Sequence, residues 1–186
     1  MLAAIMDFPS LTSAAGWPRR TWTIGFSLHH TVTPFVPSDF NANGIRDADD
    51  EIEALRQINA YHLTLDFGGM GYHALCFASG RWYKSGLDPF VARAGVKDRN
   101  HELYHIAAIG DYSQVTPAAL LQQALSEAIV DAIEQLGDHP FAGHRYYALP
   151  GSGTACPGDA FWALRDNERL VKRVRLLLRP EDLEIE

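Results

Sequence analysis

Ile24-Gly25-Phe26-Ser27-Leu28-His29-His30-Thr31 is an apolar, β-prone run that ends in two imidazoles. From Trp22 to Leu28 it reads as a central strand carrying His29 at its C-terminal end, where α/β folds gather their chemistry. Adjacent residues of a regular strand point to opposite faces, so His29 and His30 cannot enter one site together. Further strands follow from the same kind of pattern. Tyr72–Phe77 reads as a buried strand after the turn Gly68-Gly69-Met70-Gly71, and Ser79-Gly80 closes a hairpin into Arg81-Trp82-Tyr83. Ile106–Ile109 is a short buried strand ending at Gly110-Asp111, and Phe141-Ala142 is a last one that delivers His144.

Helical signals separate these strands. Asp49–Tyr61 places Ile52, Leu55 and Ile58 or Asn59 on one side, with acids at its N-terminus. Pro117–Leu136 has Thr116 available as a cap, Pro117 at the first helical position and Gly137 at a left-handed C-terminal stop. Its core face is Leu121, Ala124, Leu125, Ala128, Ile129, Ala132, Ile133 and Leu136. A final helix is expected over Phe161–Leu178. Strands alternating with helices predict an α/β fold: one domain over residues 1–186, cored from about 22 to 178, with a central mixed β-sheet flanked by helices.

The 186 residues suffice for one well-cored domain, and 47% apolar with 21% charged residues is an ordinary globular composition. A net charge of −7 argues against a nucleic-acid partner, which needs clustered Lys and Arg. Met1–Asp7 lacks a basic start and a long apolar run, so no secretory signal is recognised and synthesis in a cytoplasm is expected. Two cysteines make no disulfide framework. Cys76 falls in a buried strand, which leaves Cys156 as an available thiolate.

His144 and Cys156 stand in Ala142-Gly143-His144-Arg145 and Thr154-Ala155-Cys156-Pro157-Gly158. With one imidazole of the His29-His30 pair they supply two N donors and one S donor, the set tetrahedral zinc prefers. Three protein ligands leave a fourth position for water, as in catalytic sites, so a hydrolase is the first expectation. Chemistry alone leaves His29 against His30 open. The other histidines, His62, His101, His105 and His139, are expected to be surface or hydrogen-bonded residues.

His29-His30-Thr31, Gly71-Tyr72-His73, Ile109-Gly110-Asp111-Tyr112, Gly143-His144-Arg145 and Thr154-Ala155-Cys156-Pro157-Gly158 occur in this order. In that order they resemble the zinc-dependent N-acetylmuramoyl-L-alanine amidases, which include phage endolysins and animal peptidoglycan recognition proteins. The likeness spans about Ile24 to Phe161. It implies that His29, His144 and Cys156 bind zinc, with His30 left to packing or support. It further implies that Tyr72 is an active-site donor to the oxyanion and that Thr154 shares that role. The implied reaction is hydrolysis of the amide between N-acetylmuramic acid and L-alanine in the cell wall, as an endolysin released to reach it. A muropeptide-binding module that does not cut is the alternative, and such relatives typically lack the Cys ligand. Two departures stand out: Thr154 where phage members often carry Lys, and Arg93 where a His often precedes Ala-Gly. Arg93 can hold a stem-peptide carboxylate or pair with a surface acid.

Asp39-Phe40-Asn41-Ala42-Asn43-Gly44-Ile45-Arg46-Asp47-Ala48-Asp49-Asp50 has the spacing of a calcium loop. Asp39, Asn41, Asn43, the Ile45 carbonyl, Asp47 and Asp50 would be the ligands of a structural Ca2+. The competing reading is an Asp/Asn-rich turn that feeds a capped helix. At the other end, Leu170, Val171, Val174, Leu177 and Leu178 oppose Lys172, Arg173, Arg175 and Arg179. A basic amphipathic helix of this kind can touch a membrane, but packing on its own domain is the stronger expectation.

Overall fold

Gly25–His30 forms strand β1, and all six residues are buried. A strand covered on both faces is the centre of a parallel sheet. The computed structural model describes residues 18–20, 22–32, 44–87, 90–96, 99–166 and 169–179. After β1 come helix α1 (Ala48–Thr64), β2 (Ala74–Cys76), β3 (Trp82–Lys84), β4 (Leu103–Ala108) and helix α2 (Ala119–Leu136). Strand β5 (Phe141–Gly143), α3 (His144–Tyr147), α4 (Asp159–Asp166) and α5 (Arg169–Leu178) complete the order. The sheet runs β3-β2-β4-β1-β5. β1 is parallel to β4 and β5, β2 is parallel to β4, and only β3 is antiparallel, joined to β2 by the expected hairpin.

Alternation along the strands divides the core. Phe26 and Leu28 of β1 join Tyr104, Ile106 and Cys76 beneath α2, whose Leu121, Ala124, Leu125, Ala128, Ile129 and Ala132 are sealed from solvent. Truncating one of these, as in Leu125→Ala, costs about 2–5 kcal/mol. Phe161 and Leu164 of α4, with Leu170 and Val174 of α5, extend that layer. On the opposite face Ala54, Leu55 and Ile58 of α1 pack on Leu75, Phe77 and Tyr83. The Glu51 carboxylate, buried in the first turn of α1, accepts hydrogen bonds from Arg81 Nε and Tyr83 OH, both at 2.7 Å. That pair pins α1 to the β2–β3 hairpin.

Several boundaries differ from expectation. β2 is three residues long, so Tyr72 lies in the loop ahead of it. β4 begins three residues before Ile106 and therefore contains His105. Thr116 does not cap α2: Ala118, extended at ψ 161, holds the N-cap position, and Pro117 accepts from Gln122 through its carbonyl at 2.7 Å. The expected C-terminal helix is described as α4 over Asp159–Asp166 and α5 over Arg169–Leu178. α5 buries Leu170 and Val174 but leaves Leu177 and Leu178 exposed. Among the described residues no helix is long and apolar enough to cross a membrane.

Candidate metal centre

The parallel pairing of β1 with β5 aligns their C-terminal ends, Leu28 beside Gly143. His29 sits near the end of β1, and His144 starts α3 directly after β5. Cys156 arrives from the loop before α4, tied down by a hydrogen bond from Arg145 N–H to its carbonyl at 3.0 Å. Gly143 makes the approach feasible, because a Cβ there would lie 2.5 Å from Pro157 Cδ and 2.7 Å from the Trp162 ring. The ligand atoms of His29, His144 and Cys156 all lie within 4.8 Å of one another. Tetrahedral zinc bonds of about 2.0–2.3 Å put donors roughly 3.3–3.8 Å apart. The Cys156 Sγ to His29 Nδ1 distance of 3.6 Å is in that range, and no gap among the three exceeds 4.8 Å.

The donor chemistry fits a borderline-soft divalent ion. Burial holds the His29 imidazole well below its usual pKa, reinforced by positive charge on His144, His30 or His73. His144 is lowered by burial too, against a backbone hydrogen bond at Gly95. Both rings are therefore neutral at pH 7, each with a lone pair that a metal ion could take. Burial pushes the Cys156 thiol up to about 11, opposed by the His30 backbone and by Arg145. A metal must displace that proton to bind.

His30 points away from the cluster. Its Nδ1 accepts the Tyr112 N–H at 3.1 Å and lies 3.7 Å from the Asp111 carboxylate. Tyr72 stands beside the centre, its ring 5.4 Å from that of His29. Burial and the neighbouring Cys156 raise its pKa, so it stays a phenol, and its hydroxyl makes no hydrogen bond among the described residues. Thr154 Oγ1 accepts the Cys156 N–H at 3.2 Å, a short turn that leaves its own proton to donate.

A cleft of about 250 Å³ opens next to Tyr72, lined by Thr31, Ile58, Leu65, Phe67 and Arg93 among others, with no carboxylate among its described lining residues. Arg93 donates to the Asp66 carbonyl at 2.8 Å. A larger cavity of about 610 Å³, between the end of α2 and α5, contains no residue of the metal cluster.

Two of the histidines expected to be surface or hydrogen-bonded residues, His62 and His105, are buried and hydrogen-bonded, and His73 is buried too. His62 accepts the Gly71 N–H at 3.0 Å, and burial lowers its pKa to about 4. His73, quoted in a motif but given no role, is lowered by burial to about 3. His105 lies 2.9 Å from His29. The signal that could have found it is strand continuity: once β4 is extended to Leu103, alternation puts residue 105 on the His29 face. Of the calcium-type loop, Asp39, Asn41 and Asn43 lie outside the described residues. Asp47 caps α1 by accepting from Asp49 and Asp50 N–H, and Asp50 returns a bond to Asp47 N–H, a capping box. Those carboxylates serve the helix, which is the competing reading of that loop; Ca2+ gains no support.

By sequence, no family model matches the chain and no curated protein matches it. Its structure is similar to the endolysin N-acetylmuramoyl-L-alanine amidase LysCS from Clostridium intestinale, at TM-score 0.65 and 16% identity, covering 86% of this chain and 90% of that one. It is also similar to the Ph2119 endolysin of a Thermus scotoductus bacteriophage, at TM-score 0.62 and 22% identity, over 85% and 89% of the two chains. A Drosophila PGRP-LB mutant, solved in complex with tracheal cytotoxin, aligns at TM-score 0.61 and 18% identity over 87% and 86%. The chain therefore has the mixed-sheet α/β fold of peptidoglycan amidases and recognition proteins.

Proposed function

We propose that this protein is a zinc-dependent N-acetylmuramoyl-L-alanine amidase that acts on the cell wall as an endolysin. The observation that carries the reading is the convergence of His29, His144 and Cys156, drawn from three separate segments, onto one point of an amidase-type fold. These residues would hold the zinc, which when bound supplies a Lewis acid and a water acidified to a pKa of about 7.

The chain's own groups then divide the work. The Tyr72 phenol, neutral and without a protein partner among the described residues, donates to the oxyanion that forms at the lactyl carbonyl. Thr154 adds a hydroxyl from the turn that presents Cys156. The cleft beside Tyr72, lined by both polar and apolar side chains, takes the first residues of the stem peptide.

The test is zinc analysis of wild type and Cys156→Ser, together with digestion of purified sacculi. Cleavage at the expected bond frees L-alanine amino groups without new reducing ends. Tight binding to sacculi that remain intact would instead favour a muropeptide-binding module, and lysis by metal-free protein would refute the mechanism.

A further inference from the structure

His29 does not stand alone on its face of the sheet. Its register partner in β4 is Ala107, and one alternation back Ser27 pairs with His105. Beyond that, the backbone of His73 just ahead of β2 donates to the His105 carbonyl. All three imidazoles are buried, at 1% exposure or less. They line up as neighbours, with His29 and His105 ring centroids 5.1 Å apart and His73 stacked on His105 at 5.7 Å.

Their hydrogen bonds constrain where the protons sit. His73 Nδ1 accepts the His105 backbone N–H at 2.9 Å, so its ring proton is on Nε2, facing the Phe90 carbonyl at 3.0 Å. His29 turns Nδ1 toward Cys156 Sγ, while its Nε2 faces Ser27 Oγ at 3.0 Å and His105 Nδ1 at 2.9 Å. A neutral imidazole has one N–H and one lone pair. His29 can offer the Nδ1 lone pair to an ion only if Nε2 carries the proton, and that proton needs an acceptor. The Ser27 hydroxyl can donate or accept, so it does not select the tautomer. His105 Nδ1, 2.9 Å from His29 Nε2, shares a single proton with it, and the ring that carries that proton fixes both tautomers.

His105 Nε2 is buried and has no hydrogen-bond partner among the described residues. A sealed, unpaired polar atom is destabilising, and fold stability alone gives no reason to keep one. We propose that His105 is a positioning residue for the metal centre: its Nδ1 accepts the His29 Nε2–H, its own proton resides on the partnerless Nε2, and His29 is thereby held with Nδ1 free for the ion. The inference rests on the reading that His29, His144 and Cys156 bind a metal. It follows the general rule that a metal-bound imidazole is oriented by the partner of its second nitrogen, filled here by a third imidazole rather than a carboxylate.

The test compares full-length wild type, His105→Phe and His105→Gln. Phe fills the space and accepts nothing, whereas Gln can place a carbonyl oxygen near His29 Nε2. Zinc affinity is read by chelator competition, the cobalt-substituted centre by its visible spectrum, and the folded state by thermal melting of the metal-free forms. His105→Phe is expected to weaken zinc about 10–100-fold and shift the cobalt bands, with Gln recovering most of the affinity. A folded Phe variant that binds zinc within about twofold of wild type overturns the proposal. If that variant does not fold, long-range nitrogen–proton NMR of zinc-loaded wild type decides. A proton on His105 Nε2 supports the assignment, and one on Nδ1 overturns it. A wild-type chain that binds no zinc sinks the metal reading itself, whereas zinc binding indifferent to His105 sinks only this inference.

Discussion

Two stretches of this chain carry metal-type donors at suggestive spacing, and the fold uses them differently. His29, His144 and Cys156 are spread across more than a hundred residues, yet parallel pairing of β1 with β5 and a tethered loop bring their donor atoms within 4.8 Å. Asp47 and Asp50 are close in sequence and sit inside a local loop pattern, yet their carboxylates close a capping box on α1. The contrast has a physical cause. A carboxylate near a helix start always finds exposed backbone N–H groups within reach, so a local oxygen-rich spacing has a cheap alternative use. A buried imidazole, a half-buried one and a half-buried thiol have no comparable local partner. Convergence over long range is the stronger sign of a site.

The largest expected effect tests the first half of that contrast. Cys156→Ser removes the soft donor, and zinc content together with release of L-alanine amino groups should fall below detection. Full activity without metal would break the comparison outright. Next comes Tyr72→Phe, which leaves all three ligands in place. Loss of one oxyanion donor predicts a fall in kcat of about 10²–10³-fold with zinc retained. A loss of zinc along with activity would make Tyr72 a support of the metal centre instead.

How legible the site was depends on which kind of order each residue obeys. Strand alternation said that only one of His29 and His30 could enter the site, the motif resemblance pointed to His29, and the structure puts His30 on Tyr112 and Asp111, away from the cluster. The core face of α2 was legible because Leu121, Ala124, Leu125, Ala128, Ile129 and Ala132 repeat at helical spacing. Its start was not: Thr116 and Ala118 flank Pro117, and local composition cannot say on which side of the proline the first turn forms. His105 was hidden because Leu103-Tyr104-His105 mixes polar and apolar side chains on a strand buried on both faces, where alternation is not visible. The distance between His144 and Cys156 was beyond any sequence pattern, since a loop sets it.

Acid separates the two regions further. His62 and His73 have folded pKa values near 4 and 3, below about 6.5 in an unfolded chain, so unfolding takes up protons between these limits. Stability is complete above pH 6.5 and falls as pH drops toward 4, by a few kcal/mol, which denaturant titrations of the metal-free protein at successive pH values will show. Zinc adds its own slope. Because the Cys156 proton, held up to about 11, must leave, apparent affinity should rise about tenfold per pH unit around neutrality. A flat affinity profile would mean that the thiol is not a ligand.

The smallest effect belongs to the capping box. Asp47→Ala removes the acceptor for the Asp49 and Asp50 N–H groups and should cost about 1 kcal/mol in thermal or denaturant unfolding. Zinc content and amidase activity should not change, because α1 packs on the β2–β3 side while the ligands come from β1, α3 and the loop before α4. Calcium sharpens the same point. If Asp47 and Asp50 are committed to the helix, millimolar Ca2+ leaves the unfolding midpoint where it was, in wild type and variant alike. A midpoint that rises with Ca2+ in wild type and not in Asp47→Ala would mean that the loop trades its cap for an ion. Local spacing would then have read the loop as well as long-range convergence reads the centre.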